Sequence, residues 1–178
     1  MQGYHYETTP YSHQREALED SWAAEYYALF MEMGTGKSKV AIDTMAVLYE
    51  AGLLKAALVI APKGVYDNWV KGEIPIHLPK RIPRTICRWT PSKTKRFEEE
   101  LMAFIVDKEP ALKIFVMNVE AFSSARGPTA ATAFLYQNPE NMVVVDESTT
   151  IKNRKAARTK AIMALQKRSK YRRILTGS

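Results

Sequence analysis

Two short stretches carry residue types that can do chemistry together. The first is Ala28-Leu29-Phe30-Met31-Glu32-Met33-Gly34-Thr35-Gly36-Lys37-Ser38, an apolar run that feeds a Gly-x-Gly-Lys-Ser turn. Gly34 and Gly36 let the backbone approach phosphate oxygens and present its N–H groups, because no Cβ stands in the way. A helix beginning near Lys37 adds unpaired amide donors and the positive end of its dipole. The Lys37 ammonium can reach the β- and γ-phosphates of a nucleotide, and the Ser38 hydroxyl can ligate Mg2+. Met33 and Thr35 complete the turn that would wrap the phosphates. The full pattern G-x-x-x-x-G-K-[ST] places a glycine where this chain has Met31. What remains arises by chance on the order of once in a hundred chains of this length. The rival is a glycine-rich turn with a surface lysine, and a strand before with a helix after separates the two.

The second stretch, Val143-Val144-Val145-Asp146-Glu147, is an apolar run ending in two carboxylates. A phosphate loop needs a second element to hold magnesium, and Asp146 at a strand end supplies it. Glu147 is then placed to orient or deprotonate an attacking water. Asp-Glu after a strand is also a common surface turn, but here the two motifs complete each other. Upstream, the Gln14 amide can donate and accept at once, which suits an adenine edge; its rival role is that of a surface helix residue. The guanine-specific pattern N-K-x-D is absent.

The elements that must position these residues alternate along the chain. Helical segments are expected at 12–22, from Lys37 to a stop at Gly52, at 65–72, 92–104, 129–137 and 153–166, with Ser12 capping the first. Strands are expected at 26–31, 56–61, 85–89, 112–117, 142–146 and 172–175. Ile74 to Pro91, which holds Pro75, Pro79, Pro83 and Pro91, reads as mostly loop. Alternation of this kind indicates an α/β fold with a mainly parallel sheet, whose chemistry gathers at the carboxyl ends of the strands. Lys37, Lys63, Asn118, Asp146, Glu147 and Thr176 all follow apolar runs.

At 178 residues the chain fits one domain with a proper core. It has no apolar run of membrane-spanning length and no signal peptide, and Cys87 is its single cysteine. The expectation is therefore a reducing compartment, with the cytoplasm as default and no membrane partner. A net charge of +7 suggests a polyanionic partner. Its distribution is uneven, for Ser148 to Ser178 holds Lys152, Arg154, Lys155, Arg158, Lys160, Lys167, Arg168, Lys170, Arg172 and Arg173 without one Asp or Glu. A second cluster covers Lys63, Lys71, Lys80, Arg81, Arg84, Arg88, Lys93, Lys95 and Arg96. Contact with a nucleic-acid backbone accounts for such an excess; solvated surface faces are the alternative.

In order, Tyr11-Ser12-His13-Gln14, Met33 to Ser38, Ile60-Ala61-Pro62-Lys63 with Asn68-Trp69, Asn118-Val119-Glu120, Asp146-Glu147-Ser148 with Ile151-Lys152-Asn153, and Leu175-Thr176-Gly177-Ser178 span nearly the whole chain. This series resembles the first RecA-like lobe of a superfamily-two helicase, and within it the Swi/Snf-type DNA translocases. The resemblance implies a RecA-like P-loop NTPase three-layer sandwich around a mainly parallel central sheet, one lobe over 1–178, with ATP and Mg2+ as ligands. It makes Gln14 the adenine reader and Met33 to Ser38 the nucleotide loop, with Lys37 on the phosphates. Ser38 and Asp146 hold the metal, and Glu147 is the catalytic acid. Pro62, Lys63, Asn118 and Glu120 line the nucleic-acid track, DNA or RNA, and Thr176 and Ser178 couple hydrolysis to movement between lobes. Asp-Glu-Ser-Thr stands where the family more often has Asp-Glu-x-His, so contacts of that histidine are not carried over.

In that family a second lobe supplies arginines worth about 10³–10⁵ in rate. The expectation is that this lobe comes in cis or from a partner, and that the 178-residue chain alone hydrolyses ATP barely above background. Two other functions fit the residues: a nucleic-acid-binding module with a vestigial ATPase, and a P-loop small-molecule phosphotransferase.

Overall fold

The computed structural model describes residues 3–146 and 157–177. Glu147, Ser148, the Ile151-Lys152-Asn153 stretch and Ser178, all given roles or motif positions above, lie outside the described residues. In chain order the elements are α1 (Ser12–Ser21), β1 (Tyr26–Phe30), α2 (Lys37–Glu50), β2 (Ala56–Ala61), α3 (Lys63–Asn68), α4 (Ile74–His77), β3 (Arg84–Arg88), α5 (Lys95–Val106), β4 (Leu112–Asn118), α6 (Arg126–Gln137), β5 (Asn141–Asp146), α7 (Ala157–Gln166) and β6 (Tyr171–Thr176). A π-helical turn, Trp69–Glu73, joins α3 to α4, and a 3₁₀ turn, Val119–Ser123, follows β4.

The strands form one sheet in the order β1-β6-β5-β2-β4-β3, and each neighbouring pair runs parallel. The continuous apolar runs read from the sequence are strands covered on both faces, as parallel sheets require. In β2, Ala57, Val59 and Ala61 point into a core built with α1, α2, α3 and α4, while Ala56, Leu58 and Ile60 point into a second core built with α5, α6 and α7. Three layers result. Each buried aliphatic side chain contributes about 1.5–3 kcal/mol, so both faces of the sheet are held.

The proline-rich segment is more ordered than its composition suggests. Pro75 falls in the first turn of α4, where a missing N–H leaves no bond unmade. Arg84 gathers the loop that follows, donating to the carbonyls of Leu78 (3.0 Å), Pro79 (2.7 Å) and Ile82 (3.2 Å). Pro128 likewise sits in the first turn of α6, which therefore begins at Arg126 and not at Thr129. The cap of α1 is Tyr11 rather than Ser12: its N–H donates to Gln14 Oε1 at 3.0 Å. Helix α5 starts after Thr94, whose hydroxyl accepts from the Phe97 N–H.

Among the described residues the basic side chains do not make one face. Arg81 and Arg84 lie by the amino end of β3, and Arg88 and Lys63 lie at carboxyl ends of strands. Arg81 pairs with Glu50 and Lys80 with Glu7. Arg173 is fully buried and donates to the carbonyls of Ser21, Trp22 and Glu25, tying β6 to the end of α1; burial pushes its guanidinium down to about 10. Lys113 is buried beneath Phe104 and Phe134, donating to the Ile105 carbonyl at 2.8 Å. Part of the excess positive charge thus serves packing.

The segment before α1 straps across α2 and α4. The Tyr4 hydroxyl donates to Asp43 Oδ1 at 2.7 Å, and Lys39 Nζ donates to Asp43 Oδ2 at 2.8 Å. Burial holds the Asp43 carboxyl above the usual carboxylate range even with these two donors. Thr8 Oγ1 and His77 Nδ1 are 2.7 Å apart, and burial pushes the His77 imidazole below its ordinary value.

Two outcomes are expected. Lys39→Met leaves Asp43 buried without its cation and costs about 3–5 kcal/mol in urea unfolding, most of it recovered by adding Asp43→Leu. For His77 the unfolded chain binds a proton before the folded one, so stability falls as pH drops below about 6.5, the ordinary value. A pH series of melting temperatures should show that loss in the wild type and a weaker one in His77→Gln.

Candidate active site

After Phe30 the chain turns and enters α2 at Lys37. The turn closes through Thr35, whose N–H and hydroxyl both donate to the Glu32 carbonyl, at 3.4 and 2.6 Å. Gly34 has φ 77° and Gly36, the cap of α2, has φ 84°, a region that side chains with a Cβ rarely adopt. The strand-turn-helix context that a phosphate loop demands is therefore present.

Gln14 braces this loop. It is only 6% exposed; its Nε2 donates to the Thr35 carbonyl at 2.9 Å while its Oε1 accepts from Tyr11. His13 Nε2 also lies 3.0 Å from that carbonyl, and its ring stacks on Tyr11. The surface-residue alternative for Gln14 fails on burial. The packing is tight enough that a Cβ at Gly36 would come within 2.3 Å of Gln14 Nε2.

The Lys37 ammonium donates to the carbonyls of Met31 and Glu32, each at 2.9 Å, so it lies across the concave side of the loop. Met31 takes part through its backbone, since its N–H also donates to the Thr176 carbonyl at 3.3 Å, and its side chain packs on the first core. A side chain at that position is thus accommodated. Met33, by contrast, is 80% exposed.

Strand register brings the rest of the site to the same edge. Phe30 is level with Thr176, and Leu175 with Asp146, so only β6 separates the loop from Asp146. Two strand spacings amount to about 10 Å. Asp146 is buried, and the Trp69 indole Nε1–H donates to its Oδ2 at 2.8 Å. Thr176 is buried between the two motifs, with its hydroxyl donating to the Gly177 carbonyl.

The residues expected to line a nucleic-acid track share that edge one and two strands further on, after β2 and β4. Pro62 caps α3 and Lys63 begins it, exposed. Ala61 is level with Asn118, whose Nδ2 donates to Glu120 Oε2 at 3.0 Å. Beyond them Arg88 pairs with Asp67 and stacks on Tyr66. Arg126 fixes the loop after β3 by donating to the Thr90 and Ser92 carbonyls and to Glu98 while lying over Trp89.

The donors suit a magnesium ion. The Ser38 hydroxyl and Asp146 carboxylate are hard oxygen ligands, and no group of three His, Cys, Asp or Glu able to hold a metal occurs among the described residues. Magnesium is characteristically held by one or two side chains together with substrate phosphates. Two residues at this site have roles that sequence reasoning did not supply. Trp69 is 77 positions from Asp146, and nothing in their spacing relates them. His13 was visible only as a neighbour of Gln14.

An all-parallel sheet with a Gly-x-Gly-Lys-Ser loop at one strand tip and an aspartate two strands away defines a RecA-like P-loop lobe. The family model for the SNF2-related domain matches residues 13–178. This chain belongs to the SNF2-related domain family. It is 26% identical to the protein CHROMATIN REMODELING 24 of Arabidopsis thaliana, over 96% of this chain and 16% of that protein. It is 28% identical to the SWI/SNF-related matrix-associated actin-dependent regulator of chromatin subfamily A containing DEAD/H box 1 of Xenopus tropicalis, over 83% of this chain and 14% of that one. The chain therefore spans about a sixth of the length of these relatives. Among solved structures it is similar to the Sulfolobus solfataricus SWI2/SNF2 ATPase core in complex with dsDNA, with TM-score 0.72 and 20% identity over 100% of this chain and 34% of that one. The UvsW helicase of bacteriophage T4 shares the fold at TM-score 0.60 and 14% identity, over 96% of this chain and 53% of that one. Among the described residues no helix is long and apolar enough to cross a membrane.

The loop geometry separates two similar substitutions. Gly34→Ala meets open space and pays only for its positive φ, about 1–2 kcal/mol. Gly36→Ala must in addition displace Gln14, so it should unfold at a lower temperature than Gly34→Ala and bind a fluorescent ATP analogue more weakly.

Proposed function

We propose that the chain is the N-terminal motor lobe of an ATP-dependent DNA translocase or helicase. It binds Mg-ATP on the loop from Met33 to Ser38 and touches the nucleic-acid backbone along Pro62, Lys63, Asn118 and Glu120. One observation carries the reading: parallel register sets the loop and Asp146 at one sheet edge with only Thr176 of β6 between them. Membership of the SNF2-related family supports ATP as the nucleotide. The archaeal relative whose structure holds dsDNA supports DNA as the polymer.

In this reading Lys37 exchanges its two carbonyl partners for phosphate oxygens, and Gln14 exchanges its bonds to Tyr11 and Thr35 for the adenine edge. Ser38 and Asp146 would hold Mg2+, which would supply positive charge to offset the negative charge developing on the phosphates. Glu147 orients or deprotonates the attacking water. Thr176 and Ser178 relay the state of the site toward a second RecA-like lobe, supplied in cis or in trans, which brings the arginines for fast turnover. Backbone contacts carry no sequence information, as suits a protein that tracks any sequence.

Filter binding and nucleotide titration of the purified chain test this. DNA affinity should fall steeply with salt, Lys37→Ala should remove ATP binding, and hydrolysis by the chain alone should stay near background. Absence of DNA binding would favour a small-molecule phosphotransferase, and DNA binding with no ATP binding would favour a vestigial module.

A further inference from the structure

We propose that Trp69 is a positioning residue for the metal-bound nucleotide, aiming the Asp146 carboxylate through its indole N–H. The inference rests on the reading of Asp146 as a magnesium holder and concerns what fixes that carboxylate in place.

The geometry is specific. Trp69 is fully buried, and its Nε1 lies 2.8 Å from Asp146 Oδ2. An indole N–H only donates, and a carboxylate acceptor makes the bond charge-assisted. It also sits where the backbone departs from regularity: Trp69 opens the π-helical turn between α3 and α4. A π turn inserts a residue and so resets the direction of the side chains that follow, and such turns are frequent at functional sites. The departure is locked in place. Asn68 Nδ2 donates to Glu73 Oε1 at 3.1 Å, and its Oδ1 lies where a Cβ at Gly72 would come within 2.6 Å. The ring is fully buried as a member of the first core. The N–H therefore restrains the Asp146 side-chain torsions from a ring that is itself fully buried.

Metal sites depend on such partners: removing the group that orients a ligand typically costs 10–100-fold in metal affinity. A buried tryptophan also needs an acceptor for purely structural reasons, and the two roles predict different measurements. Trp69→Phe keeps the bulk and removes the donor. If the indole only fills the core, the variant loses stability and nothing else. If it aims Asp146, the Mg2+ midpoint for tightening the binding of a fluorescent ATP analogue rises by about 10–100-fold, while binding in EDTA stays as in the wild type.

An unchanged Mg2+ midpoint in folded Trp69→Phe overturns the proposal. A second measurement leaves Trp69 itself in place. The protein has three tryptophans, and the indole N–H resonance of Trp69 in the ¹⁵N-labelled wild type, assigned by comparison with Trp22→Phe and Trp89→Phe, should move when Mg2+ is added to the analogue-bound protein. A resonance that stays fixed while Mg2+ binds also overturns it. Failure of the wild type to bind the analogue at all is a different result, for it removes the nucleotide reading itself and this inference with it.

Discussion

Parallel pairing of β6 between β1 and β5 is the constraint on which the rest depends. Parallel strands present their carboxyl ends at one edge, and here the register is level: Phe30 with Thr176, Leu175 with Asp146, Val145 with Ile60, Ala61 with Asn118. A one-residue slip in β6 would exchange the side chains of its two faces. It would also carry the Thr176 carbonyl away from the Met31 N–H that it accepts, loosening the start of the loop. Backbone pairing thus sets Phe30, Thr176 and Asp146 at one edge.

Two cores make that register rigid, and buried polar groups adjust it. Arg173 reaches from β6 to the carbonyls that end α1, the helix that carries Gln14. The same strand therefore links the brace on the Gly-x-Gly-Lys-Ser loop to the threonine beside Asp146. On α2 the Lys39–Asp43 pair, closed over by Tyr4, ties the helix that starts at Lys37 to the segment preceding α1. Each of these groups is costly to bury alone and tolerable only with its partners.

The carboxyl edge also joins two kinds of site. Lys63 begins α3, and Trp69 directly after α3 reaches Asp146, so part of the track expected to meet nucleic acid and the tryptophan bonded to the expected metal holder share one short stretch of chain. The basic charge follows a different logic. Lys113 and Arg173 are inside, and Arg81 and Arg84 lie by the opposite edge, so the total of +7 overstates what is available to a polyanion at the carboxyl edge.

The sequence by itself determined the alternation of elements, the Gly-x-Gly-Lys-Ser turn and the strand ending in Asp146, because glycine placement and apolar run length are local properties of the chain. It also carried the family, through several motifs in a fixed order. Caps and proline positions were less legible: Tyr11 rather than Ser12 caps α1, and α4 forms around Pro75, because those choices depend on what the neighbouring backbone can accept. Only the tertiary structure decided that Gln14 is buried against Thr35, that Trp69 meets Asp146 and that Arg173 is a core residue. Those contacts join positions 21, 77 and about 150 residues apart, and no periodicity in a sequence encodes a pairing that the packing of whole layers creates.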